Sequence, residues 1–104
     1  MRCDNTNLAP ARVCAQLIDS LAGARAYDAI PASPRSLCLD GSGGKCCVAW
    51  TTPVTSALYI NLADAARDVL AACARTDLVS GWTVDTLIGN TCTNQCLSNG
   101  AMGC

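Results

Sequence analysis

Apolar positions along the chain fall into two stretches with helical spacing and two that alternate like strands. From Leu8 to Gly23, Ala11, Cys14, Ile18 and Leu21 share one helical face. Asn7 is placed as the N-cap, Pro10 lies near the first helical position and Gly23 follows the last turn. The spacing predicts a helix over residues 8–22. Residues 24–35 contain Pro31 and Pro34 and read as a surface connection. Residues 36–51 hold two short apolar runs around Asp40-Gly-Ser-Gly-Gly44, whose glycines permit the positive φ of a tight reversal, which predicts a β-hairpin. Cys46 and Cys47 are adjacent on its second strand. Strand side chains alternate faces, so these two point to opposite sides of the sheet and do not pair with each other.

A second helix is predicted from Asn61, read as its cap, to about residue 75, with Leu62, Ala66, Val69, Leu70 and Cys73 on one face. Asp64, Arg67, Asp68 and Arg75 on the opposite face read as a solvated surface with weak ion pairs. Residues 79–88 alternate as a strand that buries Trp82, Val84 and Ile88 or their neighbours, and Gly89-Asn90 ends it. The stretch from Thr91 to Cys104 is polar and Gly-rich, and it is expected to be pinned to the body by disulfides rather than ordered by its own packing. With residues 2–5 as a short edge strand, the order strand, helix, strand, strand, helix, strand gives an α+β fold. Right-handed crossovers then make a two-layer sandwich of the split βαβ kind, an antiparallel sheet of about four strands covered by two helices.

Composition makes that fold thin. A chain of 104 residues has room for a single domain, 1–104. Hydrophobic residues make up 51% of it, but Ala and Cys supply much of that, with no Phe, two Trp and two Tyr. Small side chains return little burial energy per ordered residue, so covalent staples are expected to close the gap. Nine cysteines can supply them: Cys3, Cys14, Cys38, Cys46, Cys47, Cys73, Cys92, Cys96 and Cys104. Disulfides persist in oxidising compartments, which points to a secreted, extracellular protein. Met1 is followed directly by the polar Arg2, Cys3 and Asp4, so the chain reads as a mature form with an added start. The odd count implies one free thiol or one intermolecular bridge, hence a monomer or a dimer joined through that cysteine. Cys3, near a terminus, and Cys73, on an apolar helix face, are the candidates for the unpaired thiol.

Charge and residue chemistry exclude several functions. Seven basic and eight acidic residues leave a net charge of −1, which gives no electrostatic footprint for nucleic acid or anionic lipid. No apolar run approaches the ~20 residues that span a bilayer. There is no histidine and no glutamate, so the usual general base of Ser and Cys hydrolases is missing and paired-carboxylate hydrolysis would rest on aspartates such as Asp64 and Asp68. That pair sits at a commonplace helical spacing, and no catalytic residue is assigned. Cys92 and Cys96, judged beside seven other cysteines, read as disulfide partners rather than metal ligands, and no cofactor or metal is expected. Trp50, Tyr59 and Trp82 are the large amphipathic side chains; a core role is the plainer reading, and they are also the first positions to consider for a binding surface.

The stretch from Pro34-Arg-Ser-Leu-Cys through Cys46-Cys-Val-Ala-Trp-Thr, the cysteine ending the second helix, Ser80-Gly, and the finish Cys92-Thr-Asn-Gln-Cys-Leu-Ser-Asn resembles the WD-like family of small secreted fungal proteins, over roughly the last seventy residues. The resemblance implies a cysteine-rich secreted protein of the candidate-effector kind, with no catalytic residues to carry over. The function expected is therefore non-enzymatic binding, outside the cell, of an unknown host protein or microbial surface target. The order of elements is also similar to the α/β sandwich of killer toxins from smut fungi, which implies an antimicrobial role as the alternative.

Overall fold

Tight reversals and small side chains set the architecture of the computed structural model, which describes residues 1–100. Seven strands and two helices occur in the order β1 (Arg2–Cys3), β2 (Ala9–Pro10), α1 (Ala11–Ala22), β3 (Ser36–Gly41), β4 (Gly44–Trp50), α2 (Tyr59–Cys73), β5 (Leu78–Val79), β6 (Gly81–Ile88) and β7 (Thr91–Ser98). The main sheet is antiparallel and has five strands in the order β1-β6-β7-β4-β3, one more than the sequence led us to expect; β2 and β5 form a separate two-stranded ribbon.

The predicted hairpin is present. Gly41 pairs with Gly44 around a two-residue turn, and Gly43 holds φ at +95°, where a side chain would be strained. Cys46 and Cys47 face opposite sides as predicted: Cys46 is bonded to Cys14 of α1, and Cys47 to Cys38 directly across the hairpin.

Both helices begin elsewhere than the sequence suggests. Helix α1 starts at Ala11, because Ala9 and Pro10 are taken up by pairing with Val79 and Leu78, while Asn7 adopts a positive φ of 55° and caps nothing. The Ala11 N–H is satisfied by the carbonyl of Asp77 at 2.8 Å, a tertiary substitute for a side-chain cap. Helix α2 starts at Tyr59, and Asn61 works from inside the first turn, its Oδ1 accepting the Leu58 N–H at 2.9 Å. The apolar faces are as predicted, with Cys14, Ile18 and Leu21 of α1 and Leu62, Ala66, Val69 and Cys73 of α2 buried.

The register shows that both helices reach the same face of the sheet. Cys14 of α1 bonds to Cys46 of β4, which shares a face with Val48; Val48 pairs with Leu97, and Leu97 with Gly81. A Cβ on Gly81 would lie 2.7 Å from the Cys73 sulfur and 3.1 Å from Val69, so the absent side chain is what lets α2 sit down on β6.

The largest departure concerns the last segment. Residues 91–98, expected to be held by disulfides rather than by their own packing, form β7, the middle strand of the five, hydrogen-bonded to β4 on one side and β6 on the other. Threonine suits a pleated backbone, and two flanking ladders satisfy the main chain, so the strand needs little apolar content of its own. Its inner face also receives the chain beyond β4. Thr93 Oγ1 accepts the Thr52 N–H at 2.9 Å and lies 3.3 Å from Thr51 Oγ1, which in turn accepts the Asn94 N–H at 3.3 Å. The Thr55 N–H donates to Thr91 Oγ1 at 3.4 Å.

Candidate functional site

Strand alternation gives the sheet an outer face, turned away from the helices, that carries Arg2, Trp82, Leu87, Cys92, Cys96, Ala49, Cys47 and Cys38. Along β4 and the neighbouring part of β7 this face is buried, at Cys47, Ala49, Cys96 and Ser98. Along β6 it is open: Leu87 is 65% and Val84 48% exposed, and Trp82 is half-buried beside Arg2.

A β-bulge produces the opening. Thr83 pairs with Gln95 but Thr86 with Thr93, so β6 carries one extra residue between the two pairs, and Asp85 takes a left-handed φ of 50° with its N–H donating to Asn94 Oδ1 at 3.1 Å. The bulge changes which residues point inward. Gly81, Thr83 and Ile88 are buried, whereas Val84 is turned out to solvent and Trp82 is only partly covered. The expected inward set of Trp82, Val84 and Ile88 therefore holds for Ile88 and passes otherwise to the neighbours.

The other two aromatic candidates lie elsewhere. Trp50 and Tyr59 are each 4% exposed, on the helix-facing side of β4 and at the start of α2 respectively. Arg25 covers Tyr59, its guanidinium 4.6 Å from the ring centroid and Nη2 donating to the Tyr59 hydroxyl at 3.0 Å. Of the three, Trp82 is the one that shares the open sheet face. The remaining large exposed aromatic, Tyr27 at 80%, stands in the 24–35 connection.

The cysteines are arranged differently from the expectation at two points. Cys3 and Cys73, the candidates for the unpaired thiol, are bonded to each other, because the pairing of Arg2–Cys3 with β6 lays Cys3 against the C-terminal turn of α2. The free thiol among the described residues is the exposed Cys92, directly across from Leu87 on the outer face. Cys92 and Cys96 are thus not equivalent: Cys96 is disulfide-bonded and buried, Cys92 is neither. Cys104 lies outside the described residues.

Asp64 is engaged in an exposed ion pair with Arg67 at 3.3 Å, and Asp68 is exposed on the same helix. Among the described residues no three His, Cys, Asp or Glu side chains gather in a way that could hold a metal ion, and no helix is long and apolar enough to cross a membrane. At the other end of the sheet Pro10, Arg12, Ser42, Gly43, Asp77 and Leu78 line a surface cleft where the α1 N-terminus meets two turns.

These features define a small disulfide-bonded α+β protein with an open, partly apolar sheet face. The whole chain, residues 1–104, matches the family described as Fungal WD-like, and the chain belongs to that family. The match takes in the first thirty residues as well as the cysteine-rich remainder that carried the resemblance. No curated protein and no solved structure matches it.

Proposed function

We propose that the protein is a secreted, effector-like binding protein that acts outside the cell on a host protein or microbial surface without catalysing a reaction, and that it makes contact through the outer face of β6 and β7. The exposure of Leu87 and Val84 beside Trp82 carries this reading. Apolar side chains held at fixed positions on a stapled sheet lose little freedom on binding, and an aromatic flanked by aliphatics and an arginine is a common anchor of protein interfaces. Three disulfides among the described residues support an oxidising, extracellular setting. The lack of histidine and glutamate supports a binding role over hydrolysis.

A second reading, a killer-toxin-like antimicrobial, draws on two helices lying against one antiparallel sheet, which we read as a two-layer sandwich of that type. The two readings separate in a paired assay of the oxidised protein and a Val84→Asp/Leu87→Asp variant. Specific retention of a host extracellular protein that the variant loses is the expected result. Growth inhibition of yeasts or bacteria that the variant also loses transfers the same surface to the toxin reading. Retention unchanged in the variant overturns the assigned surface, and hydrolysis of cell-wall polymer abolished by substituting Asp64 or Asp68 overturns the non-enzymatic reading.

A further inference from the structure

The core under α2 contains a polar row. On the helix-facing side of the sheet, Trp50 of β4 pairs with Gln95 of β7, and Gln95 pairs with Thr83 of β6. The three are 4%, 0% and 8% exposed. Gln95 Nε2 donates to the Cys96 carbonyl at 3.1 Å, but Trp50 Nε1, Gln95 Oε1 and Thr83 Oγ1 are buried with no hydrogen-bond partner among the described residues. Exchanging the ends of the Gln95 amide is no remedy, since it would set two carbonyl oxygens against each other at Cys96.

Buried polar atoms are almost always hydrogen-bonded, and three orphans in one row would use up a large share of the net stability of so small a domain. Directly opposed side chains in a sheet have Cβ atoms about 4.5–5.5 Å apart, close enough for the row to share solvent. The hydrogen-bonding types select the ligand. The indole N–H only donates, the amide oxygen only accepts and the threonine hydroxyl does either. An anion would meet the amide oxygen, and a cation would meet the indole N–H. Water answers all three.

We propose that Trp50, Gln95 and Thr83 hold an internal water that ties β4, β7 and β6 together. Thr83 is the last register pair before the bulge and the most exposed of the three, so exchange with bulk solvent runs through the bulge.

The test is a water-selective NOE experiment on the 15N-labelled, oxidised protein, with the two indole protons assigned from a Trp82→Phe variant. The expected result is a water cross-peak on the Trp50 indole proton with the sign of a long-lived contact. Thr83→Val and Gln95→Met, which keep shape but remove the polar atoms, should shift the Trp50 indole resonance, and their combination should abolish the cross-peak. Two wild-type outcomes would overturn the proposal whether or not the variants fold: a Trp50 indole proton with no water contact, or a scalar coupling showing that it bonds directly to the Gln95 carbonyl. A cross-peak that persists in the folded double variant would do the same.

Discussion

The two ends of β4 solve one problem by different means. Where β4 leaves the hairpin turn, Cys46 bonds down to α1 and Cys47 bonds sideways to β3, so both faces of the strand are covalently fixed within two residues. Where β4 ends at Trp50, the chain that follows is laid onto β7 through the hydroxyls of Thr51, Thr93 and Thr91 and the main chain of Thr52 and Thr55. Each sulfur bridge restricts the unfolded chain, whereas each hydroxyl bond contributes about 0.5–1.5 kcal/mol net and depends on its partner staying in place. The sulfur end should therefore respond to reductant and the hydroxyl end to removal of single oxygens.

The largest effect to look for is at the sulfur bridges. Closing longer loops removes more unfolded-state entropy, and sequence separations of 70, 32 and 9 for Cys3–Cys73, Cys14–Cys46 and Cys38–Cys47 correspond to about 4.4, 3.7 and 2.6 kcal/mol in the chain-entropy account. Paired Cys→Ala variants should lose stability in that order in chemical denaturation, and reductant should lower the melting temperature sharply. A melting curve indifferent to reductant would break the comparison at its root.

Next comes the seat of α2. Gly81→Ala places a methyl group 2.7 Å from both the Arg2 carbonyl and the Cys73 sulfur, and overpacking of this kind costs about 1–3 kcal/mol. Denaturant titration of the variant against wild type measures it.

At the hydroxyl end, Thr93→Val keeps the shape but leaves the Thr52 N–H without its acceptor, an expected loss of about 1–2 kcal/mol. The variant should melt earlier, and amide exchange at Thr52 should accelerate while the hairpin amides keep their protection. Uniform acceleration would mean that the two ends are one cooperative unit.

Removing the exposed Arg25 guanidinium from the Tyr59 ring with Arg25→Ala should lower stability by about 0.5–1 kcal/mol, readable as a small drop in denaturation midpoint.

The smallest effect lies at the N-terminal loop. Asp4 Oδ1 accepts the N–H groups of Asn5 and Thr6 at 2.7 and 3.1 Å, and the Thr6 main-chain bond above all, with help from the Thr6 side chain, holds its carboxyl below the usual carboxylate range. A lowered folded-state pKa stabilises the loop above the unfolded value and loses that contribution as the pH falls through the folded one. The Thr6 amide resonance should therefore titrate with a midpoint below that of an ordinary aspartate.

How much of this was readable in advance depended on whether a segment's signal was local. The hairpin, the opposed directions of Cys46 and Cys47 and the buried faces of both helices follow from turn glycines and from periods of two and 3.6 residues. The helix starts did not, because Ala11 is capped by Asp77, distant in the chain. Strand β7 gives no strand signal of its own, because Thr, Asn, Gln and Ser carry no apolar alternation; its place is decided by the ladders on either side. The pairing of Cys3 with Cys73 was hidden in the same way. The apolar helix face that made Cys73 look like a packed thiol is what delivers it to β1. The open face around Leu87 could not be read without the bulge at Val84 and Asp85, which reverses the inside and outside of half a strand.

The middle position of β7 bears on how the molecule is made. Strand β7 comes after all its partners in the chain, so while the polypeptide is being synthesised the β3–β4 pair and the β1–β6 pair can each form, but no ladder of the main sheet yet joins them. The six cysteines of Cys3–Cys73, Cys14–Cys46 and Cys38–Cys47 all precede β7, so each of these bridges joins elements already synthesised by then. The insertion of β7 between those two pairs is thus the step that completes the main sheet, and it cannot occur until that strand is free of the ribosome.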